Sequence, residues 1–112
     1  MRLKSALWVA AYLRRCQVEG AFAVVRRRGA EEAGAVFVRV CRLDGTSDLF
    51  GPAPQSEARD GVDRLFARLH ANPWIDPAEA ELKIARQIKF DPDLWIVETE
   101  DRQGRSFLDV VD

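Results

Sequence analysis

Gly34-Ala-Val-Phe-Val-Arg-Val-Cys-Arg-Leu43 is the stretch on which the fold turns. Its β-branched and aromatic residues alternate along the chain, which is the pattern of a strand packed on a sheet face. Val36, Val38 and Val40 share one side, and Phe37, Arg39 and Cys41 share the other, so Arg39 is expected on a partly covered face. Asp44-Gly45 directly follows. That dipeptide suits a tight hairpin turn, because Gly accepts the positive φ that such turns require. The chain should therefore return as a strand over 46–50. Upstream, Ala21 to Arg28 carries Phe22, Val24 and Val25 and reads as a strand too. The polar connection Gly29-Ala-Glu-Glu-Ala-Gly34 suits a hairpin between the two, so an antiparallel three-strand meander is expected.

Outward from this centre, Ser5 to Gln17 reads as a helix: adequate helix formers run without Gly or Pro until Gly20. Leu3, Leu7, Ala10 and Ala11 follow a helical period, and Trp8, Val9 and Tyr12 extend the apolar surface around most of the circumference. A helix apolar on most sides is expected to be buried on most sides. Arg14 and Arg15 fall in its last turn, where cations offset the negative end of the helix dipole. A second helix is signalled by Asp76-Pro77-Ala78-Glu79, with an N-cap acid, Pro at the first helical position and Glu in the capping-box slot. Leu82, Ala85 and Ile88 line one of its faces, and Asp91-Pro92 ends it. Leu94 to Glu100 and Ser106 to Val110, joined by Asp101-Arg-Gln-Gly104, read as a C-terminal hairpin. Between Gly51-Pro-Ala-Pro54 and Trp74 the pattern is ambiguous. Val62, Leu65, Phe66 and Leu69 fit helical spacing, and a helix is the reading adopted for 56–70. The expected fold is α+β: a mainly antiparallel mixed sheet, made of the meander and the C-terminal hairpin, packed by two main helices.

The chain has 112 residues, the size of a single domain. Its apolar fraction of 47% and charged fraction of 31% are those of an ordinary globular protein, which sets aside disordered and fibrous classes. The longest apolar run, Ala6 to Leu13, is far short of the roughly 20 residues that cross a bilayer. Met1-Arg2-Leu3-Lys4 and that run have the order of a secretory leader. Arg14 and Arg15 close it without a small-residue cleavage site, so a cytoplasmic location is expected. Cys16 and Cys41 sit in apolar segments and read as small hydrophobes; with His70 the sole histidine, no zinc-ligand set exists. The formal net charge is −1, but residues 1–56 carry 9 basic against 5 acidic side chains and residues 57–112 carry 8 against 13. Such asymmetry fits either an anion site or a head-to-tail contact. Arg supplies 14 of the 17 basic residues, as a GC-rich genome dictates, and this dilutes the meaning of any one arginine pair.

Three groups of side chains are candidates for chemistry. Arg14, Arg15, Arg26, Arg27 and Arg28 are the first, because guanidinium forks donate two parallel hydrogen bonds to phosphate. A nucleic-acid reader, however, is usually basic overall with interleaved aromatics, and this chain is neither. Asp91, Asp93, Glu98, Glu100 and Asp101 are the second. Pro92-Asp93 and Glu100-Asp-Arg102 echo a proline-aspartate nuclease pattern, in which Asp93 and Glu100 would hold magnesium. Arg102 stands where that pattern needs a lysine, and it stays charged. The third is Trp74, in the loop-like Asn72-Pro73-Trp74-Ile75-Asp76-Pro77. There it either anchors a partner or packs over the start of the second helix as a staple. No Ser-His arrangement, Gly-rich phosphate loop or nucleophile elbow is present. No catalytic residue and no cofactor are expected.

Ser-Ala-Leu-Trp-Val-Ala-Ala-Tyr-Leu-Arg-Arg at 5–15, Leu-Phe-Gly-Pro-Ala-Pro-Gln at 49–55 and Phe-Asp-Pro-Asp-Leu-Trp-Ile-Val-Glu-Thr-Glu-Asp at 90–101 resemble the alphaproteobacterial domain-of-unknown-function family 1491 over essentially the whole chain. The resemblance implies a small bacterial cytoplasmic α+β protein and carries over no activity, cofactor or catalytic residue. The function expected is a non-catalytic binding or interaction module whose partner is another protein or a second copy. A phosphate or nucleic-acid binder built on the arginines, and a degenerate metal-dependent enzyme, are the alternatives.

Overall fold

The computed structural model describes residues 2–58 and 60–111. Its elements are α1 (Ser5–Val18), β1 (Phe22–Arg27), β2 (Val36–Cys41), β3 (Ser47–Pro52), a 3-10 turn (Gln55–Glu57), β4 (Leu65–Arg68), α2 (Pro77–Phe90), β5 (Trp95–Glu100) and β6 (Asp109–Val110). The six strands form one sheet in the order β1-β5-β2-β3-β4-β6. β1/β5, β2/β3 and β3/β4 are antiparallel, whereas β2/β5 and β4/β6 are parallel.

The fold class is α+β, and both main helices lie where the sequence puts them. The sheet itself is mixed, not mainly antiparallel, and two expected pairings are absent. β1 and β2 do not pair, because β5 inserts between them. The meander is β2-β3-β4 instead, with the Asp44-Gly45 turn in its first hairpin; Gly45 has φ +91° and Arg42 N–H donates to Thr46 O at 3.2 Å. β5 and β6 form no hairpin, since β6 crosses to the far edge and runs parallel to β4. The physical reason lies in β5, where Trp95, Ile96 and Val97 are all buried. A strand apolar on both faces needs neighbours on both edges and a helix over each face, which only a central position supplies. Gly34 makes that insertion possible. A Cβ there would meet the Asp93 carbonyl oxygen at 2.6 Å, so only glycine lets the chain start β5 alongside.

Among the described residues of 56–75 there is no helix beyond the three-residue turn; β4 occupies Leu65–Arg68. The apolar spacing there served both templates, and the open edge of β3 supplied a partner for a strand. Phe66 then reaches the α1 side, where it packs 5.3 Å from the Trp8 ring, while Leu69 joins the α2 side.

Each helix covers one face of the sheet. α1 buries Ser5, Val9, Tyr12 and Cys16 against Val36, Val38, Val40, Phe66, Trp95 and Val97. α2 buries Ala80 and Ile84 against Leu49, Ile75, Leu94 and Ile96. The helices start differently. Asp76 caps α2, its carboxylate accepting from Glu79 N–H at 2.8 Å, and Ile75 just before it joins the α2 core. α1 has no side-chain cap; its first amides, Ser5 and Ala6, donate to the carbonyls of Glu32 and Glu31 at 3.0 and 2.9 Å. The connection after β1 therefore caps α1. No helix among the described residues is long and apolar enough to cross a membrane.

Candidate functional site

The five arginines do not converge. Arg14 lines a groove between α1 and β1, whereas Arg15 lines a cleft on the other flank of α1. Arg26 is drawn to the opposite face of the sheet, where it donates to Glu81 at 2.5 Å and to Glu98 at 2.8 Å. Arg27 Nη2 donates to the Pro92 carbonyl at 2.9 Å, and the Arg28 guanidinium lies 5.1 Å from the Trp95 ring centroid. Arg39 joins Arg26 in a four-membered network, donating to Glu81 at 2.5 Å and to Ser47 Oγ at 3.0 Å. Arg26, through its hydrogen bonds, holds the Glu81 carboxyl below the usual carboxylate range. Charge balance inside this network leaves little attraction for an outside anion.

Asp93 and Glu100 flank β5 at opposite ends. A strand advances about 3.3 Å per residue, so they stand about 20 Å apart and cannot share one ion. Among the described residues, no group of three or more His, Cys, Asp or Glu is placed to hold a metal. Asp101 is taken by Arg105, whose Nη2 and Nε donate to its two oxygens at 2.8 and 3.1 Å and whose backbone N–H donates at 2.8 Å. The Arg105 side chain thereby depresses the Asp101 pKa.

His70 and Trp74 stand together around the buried Asp48. Leu49 N–H donates to His70 Nε2 at 3.0 Å, and His70 Nδ1 faces the Asn72 carbonyl at 2.6 Å, an arrangement satisfied by the Nδ1–H tautomer. Both ring nitrogens serve the backbone, which leaves the imidazole no free edge for proton transfer. Asp48 accepts from Trp74 N–H at 2.7 Å and from Arg68 at 2.8 Å. Trp74 has φ +59°, a conformation that costs a non-glycine residue about 1 kcal/mol or more. It is held there by Arg42 at 4.1 Å from its ring and by Gly104, where a Cβ would meet the ring at 2.5 Å. The half-buried Trp74 thus clamps the 69–76 loop to the turn after β5. Ile75, not Trp74, packs at the start of α2.

Cys16 is buried and its thiol pKa is raised by that burial, so it stays protonated and behaves as a small hydrophobe. Tyr12, also shifted upward by burial, ties α1 to β5 and the C-terminal crossover through Thr99 Oγ1 at 2.8 Å and the Ser106 carbonyl at 2.7 Å.

What remains open is an apolar band. On the outer face of α1, Leu7 is 58% and Val18 is 76% exposed, and Ala10 and Ala11 between them are exposed as well. The band continues across a groove of about 430 Å³, walled by Ala10, Leu13, Arg14 and Gln17, onto β1. Among the described residues only β5 pairs with β1, which leaves the other edge of β1 free of them. Phe22 is 61% exposed, and Val24 and Val25 are 40% and 37% exposed on opposite faces of the strand. The sequence expectation that α1 is buried on most sides is corrected here: one face is buried, Ala6, Trp8 and Leu13 flank it half-buried, and the outer face is open. The all-round apolar pattern, read as burial, is the signal that could have found this surface.

Two helices on opposite faces of a six-stranded mixed sheet, with an uncovered band over α1 and β1, define a small helix–sheet–helix domain. The model of the family described as protein of unknown function (DUF1491) matches residues 3–109, and the chain belongs to that family. It is similar to a DUF1491 family protein from Caulobacter crescentus CB15, known from a crystal structure, with 37% identity, full coverage of both chains and a TM-score of 0.82. It is also similar to protein Atu0922 from A. tumefaciens, known from a solution structure, with 42% identity over all of this chain and 97% of that one and a TM-score of 0.83. No curated protein matches.

Proposed function

We propose that the protein is a non-catalytic interaction module that pairs with a second copy of itself through the free β1 edge and the adjoining face of α1. The observation that carries this reading is the exposed apolar surface of α1 lying across one groove from a strand whose outer edge is free and whose Phe22, Val24 and Val25 are exposed. Contiguous patches of this kind mark interaction sites, and an open apolar edge is a template for another strand.

The second copy is the occupant that the residue pattern of the strand favours. The strand is regular from Phe22 to Val25 and bulged beyond, where the register shifts between Val25 and Arg27. Antiparallel self-pairing about Ala23 sets Ala23 against its own copy, Phe22 against Val24 and Ala21 against Val25. Aromatic–β-branched pairs of this kind stabilise sheets, and the arrangement is self-complementary as a two-fold axis requires. The small Ala10 and Ala23 side chains then let the two α1 helices approach. Two free cysteines fit a reducing compartment, and a cytoplasmic site of action is part of the same proposal.

Sedimentation equilibrium of the purified chain tests the reading. The expected result is the mass of two chains, reduced to one by Phe22→Lys, which alters an exposed side chain and leaves the monomer fold intact. A monomer throughout the micromolar to sub-millimolar range, or a dimer indifferent to Phe22→Lys, overturns it.

A further inference from the structure

The other flank of α1 carries a separate feature. A cleft of about 250 Å³ lies between Trp8, Tyr12 and Arg15 on α1 and Arg64, Phe107 and Leu108 opposite. Its floor is aromatic: Trp8 stacks on Tyr12 with ring centroids 5.2 Å apart and planes 9° from parallel. Its polar end is Arg64, whose side chain is 6% exposed and whose guanidinium lies 6.0 Å from the Trp8 ring centroid.

Arg64 is incompletely satisfied. Nη2 donates to the Leu3 carbonyl at 3.1 Å and to Ser5 Oγ at 3.0 Å. Nε is buried with no hydrogen-bond partner among the described residues; the nearest carboxylate oxygen, on Asp63, is 3.9 Å away. A buried guanidinium whose one carboxylate neighbour stands 3.9 Å away is costly, and burial first, then Arg2, push its pKa down against the smaller opposing pull of Asp63. An anion on the cleft side of the fork would supply the missing opposite charge, although the buried Nε stays out of its reach. The rim decides which anion. Arg15 adds a second cation, but Asp63 and Asp109 also line the cleft and would repel a dianion such as phosphate.

We propose that this cleft binds a small monocarboxylate with an apolar or aromatic body, its carboxylate on Arg64 and its body against Trp8, Phe107 and Leu108. The volume lies just below the range of drug-sized pockets and suits about ten non-hydrogen atoms. The cleft shares only Ala11 with the exposed α1 face of the dimer proposed above, and the two readings are tested by separate measurements.

The test is an NMR titration of the full-length protein with phenylacetate, followed at the Trp8 indole N–H and the amides of 107–109. Phenylacetamide and inorganic phosphate are run beside it. The expected result is a saturable shift with phenylacetate, at least about tenfold weaker with phenylacetamide, because the charge-assisted bonds are lost. Phosphate should give no shift at these positions. Arg64→Gln should abolish the phenylacetate response. Because Arg64 also braces Leu3 and Ser5, the exposed Ala11→Phe, which fills the cleft from α1, serves as a second variant and should block binding in a folded protein. No shift with phenylacetate, an equal response to phenylacetamide or phosphate, or undiminished binding in Ala11→Phe would each overturn the proposal.

Discussion

α1 and α2 have the same length and lie on opposite faces of one sheet, yet they are built for different ends. α2 is specified locally. It has a capping acid, Pro in its first turn and a buried stripe of Ala80 and Ile84, and its Glu81 reaches the sheet in the ion network with Arg26, Arg39 and Glu98. α1 has no side-chain cap and no acid in its first turn, and it borrows its cap from Glu31 and Glu32. Its order comes from burying Val9, Tyr12 and Cys16, while Leu7 and Val18 face solvent. Both helices leave apolar side chains exposed, Leu82 and Phe90 on α2 as well as Leu7 and Val18 on α1; what differs is that α2 carries its own cap and ion network, whereas α1 takes its start from a distant connection.

The contrast can be broken most severely in the α1 core. Phe66→Ala removes the ring that Trp8 packs on at the bottom of the α1 face, and a loss of about 3–5 kcal/mol is expected in denaturant unfolding. Tyr12→Phe should cost about 1–3 kcal/mol in the same measurement, since Thr99 Oγ1 and the Ser106 carbonyl lose their common partner inside the protein.

The helix starts sharpen the comparison at smaller magnitude. Asp76→Ala should destabilise by about 1 kcal/mol, as removal of a side-chain N-cap does. Lys4→Ala, at the corresponding place before α1, should stay within about 0.5 kcal/mol of the parent, since no side-chain cap exists there to lose. Equal effects in paired thermal melts would erase the distinction between the helices.

Acid titration separates the two faces again. Glu81 on the α2 face and Asp101 beyond β5 both have folded pKa values below their ordinary ones, so each contributes stability that is fully present above the unfolded carboxylate pKa, near pH 4. That contribution fades as pH falls through the lowered folded values. Asp101→Asn and Glu81→Gln should each flatten the acid limb of stability against pH, with little change in slope near neutrality. The smallest effect on stability belongs to Leu7→Ser on the outer face of α1. It should leave the monomer's melting point almost unchanged while weakening self-association measured by sedimentation.

Much of this was legible in the residues, and the failures have a common cause. Asp76-Pro77 and Asp44-Gly45 act on their own backbones, so the helix start and the hairpin turn are where the sequence places them. β1 and β2 were legible as strands but not as non-neighbours, because pairing depends on Leu94–Val97, some 60 positions later, taking the central slot. Residues 56–75 misled because apolar spacing at 62, 65, 66 and 69 suits either period and only the waiting edge of β3 decides. Among the candidate site residues, the arginines were legible as charges, but their separation onto two flanks of α1 and two faces of the sheet was not. Trp74 was legible as unusual; that Arg42 and Gly104 hold it was not.

By itself, then, the sequence determined the local elements, the α+β class and the family, since capping, turn chemistry and alternation act over a few residues. The tertiary structure alone decided the strand order, the free β1 edge and the cleft at Arg64. Each of these depends on which distant segments share a face, and that is set by the burial of β5 from both sides at once.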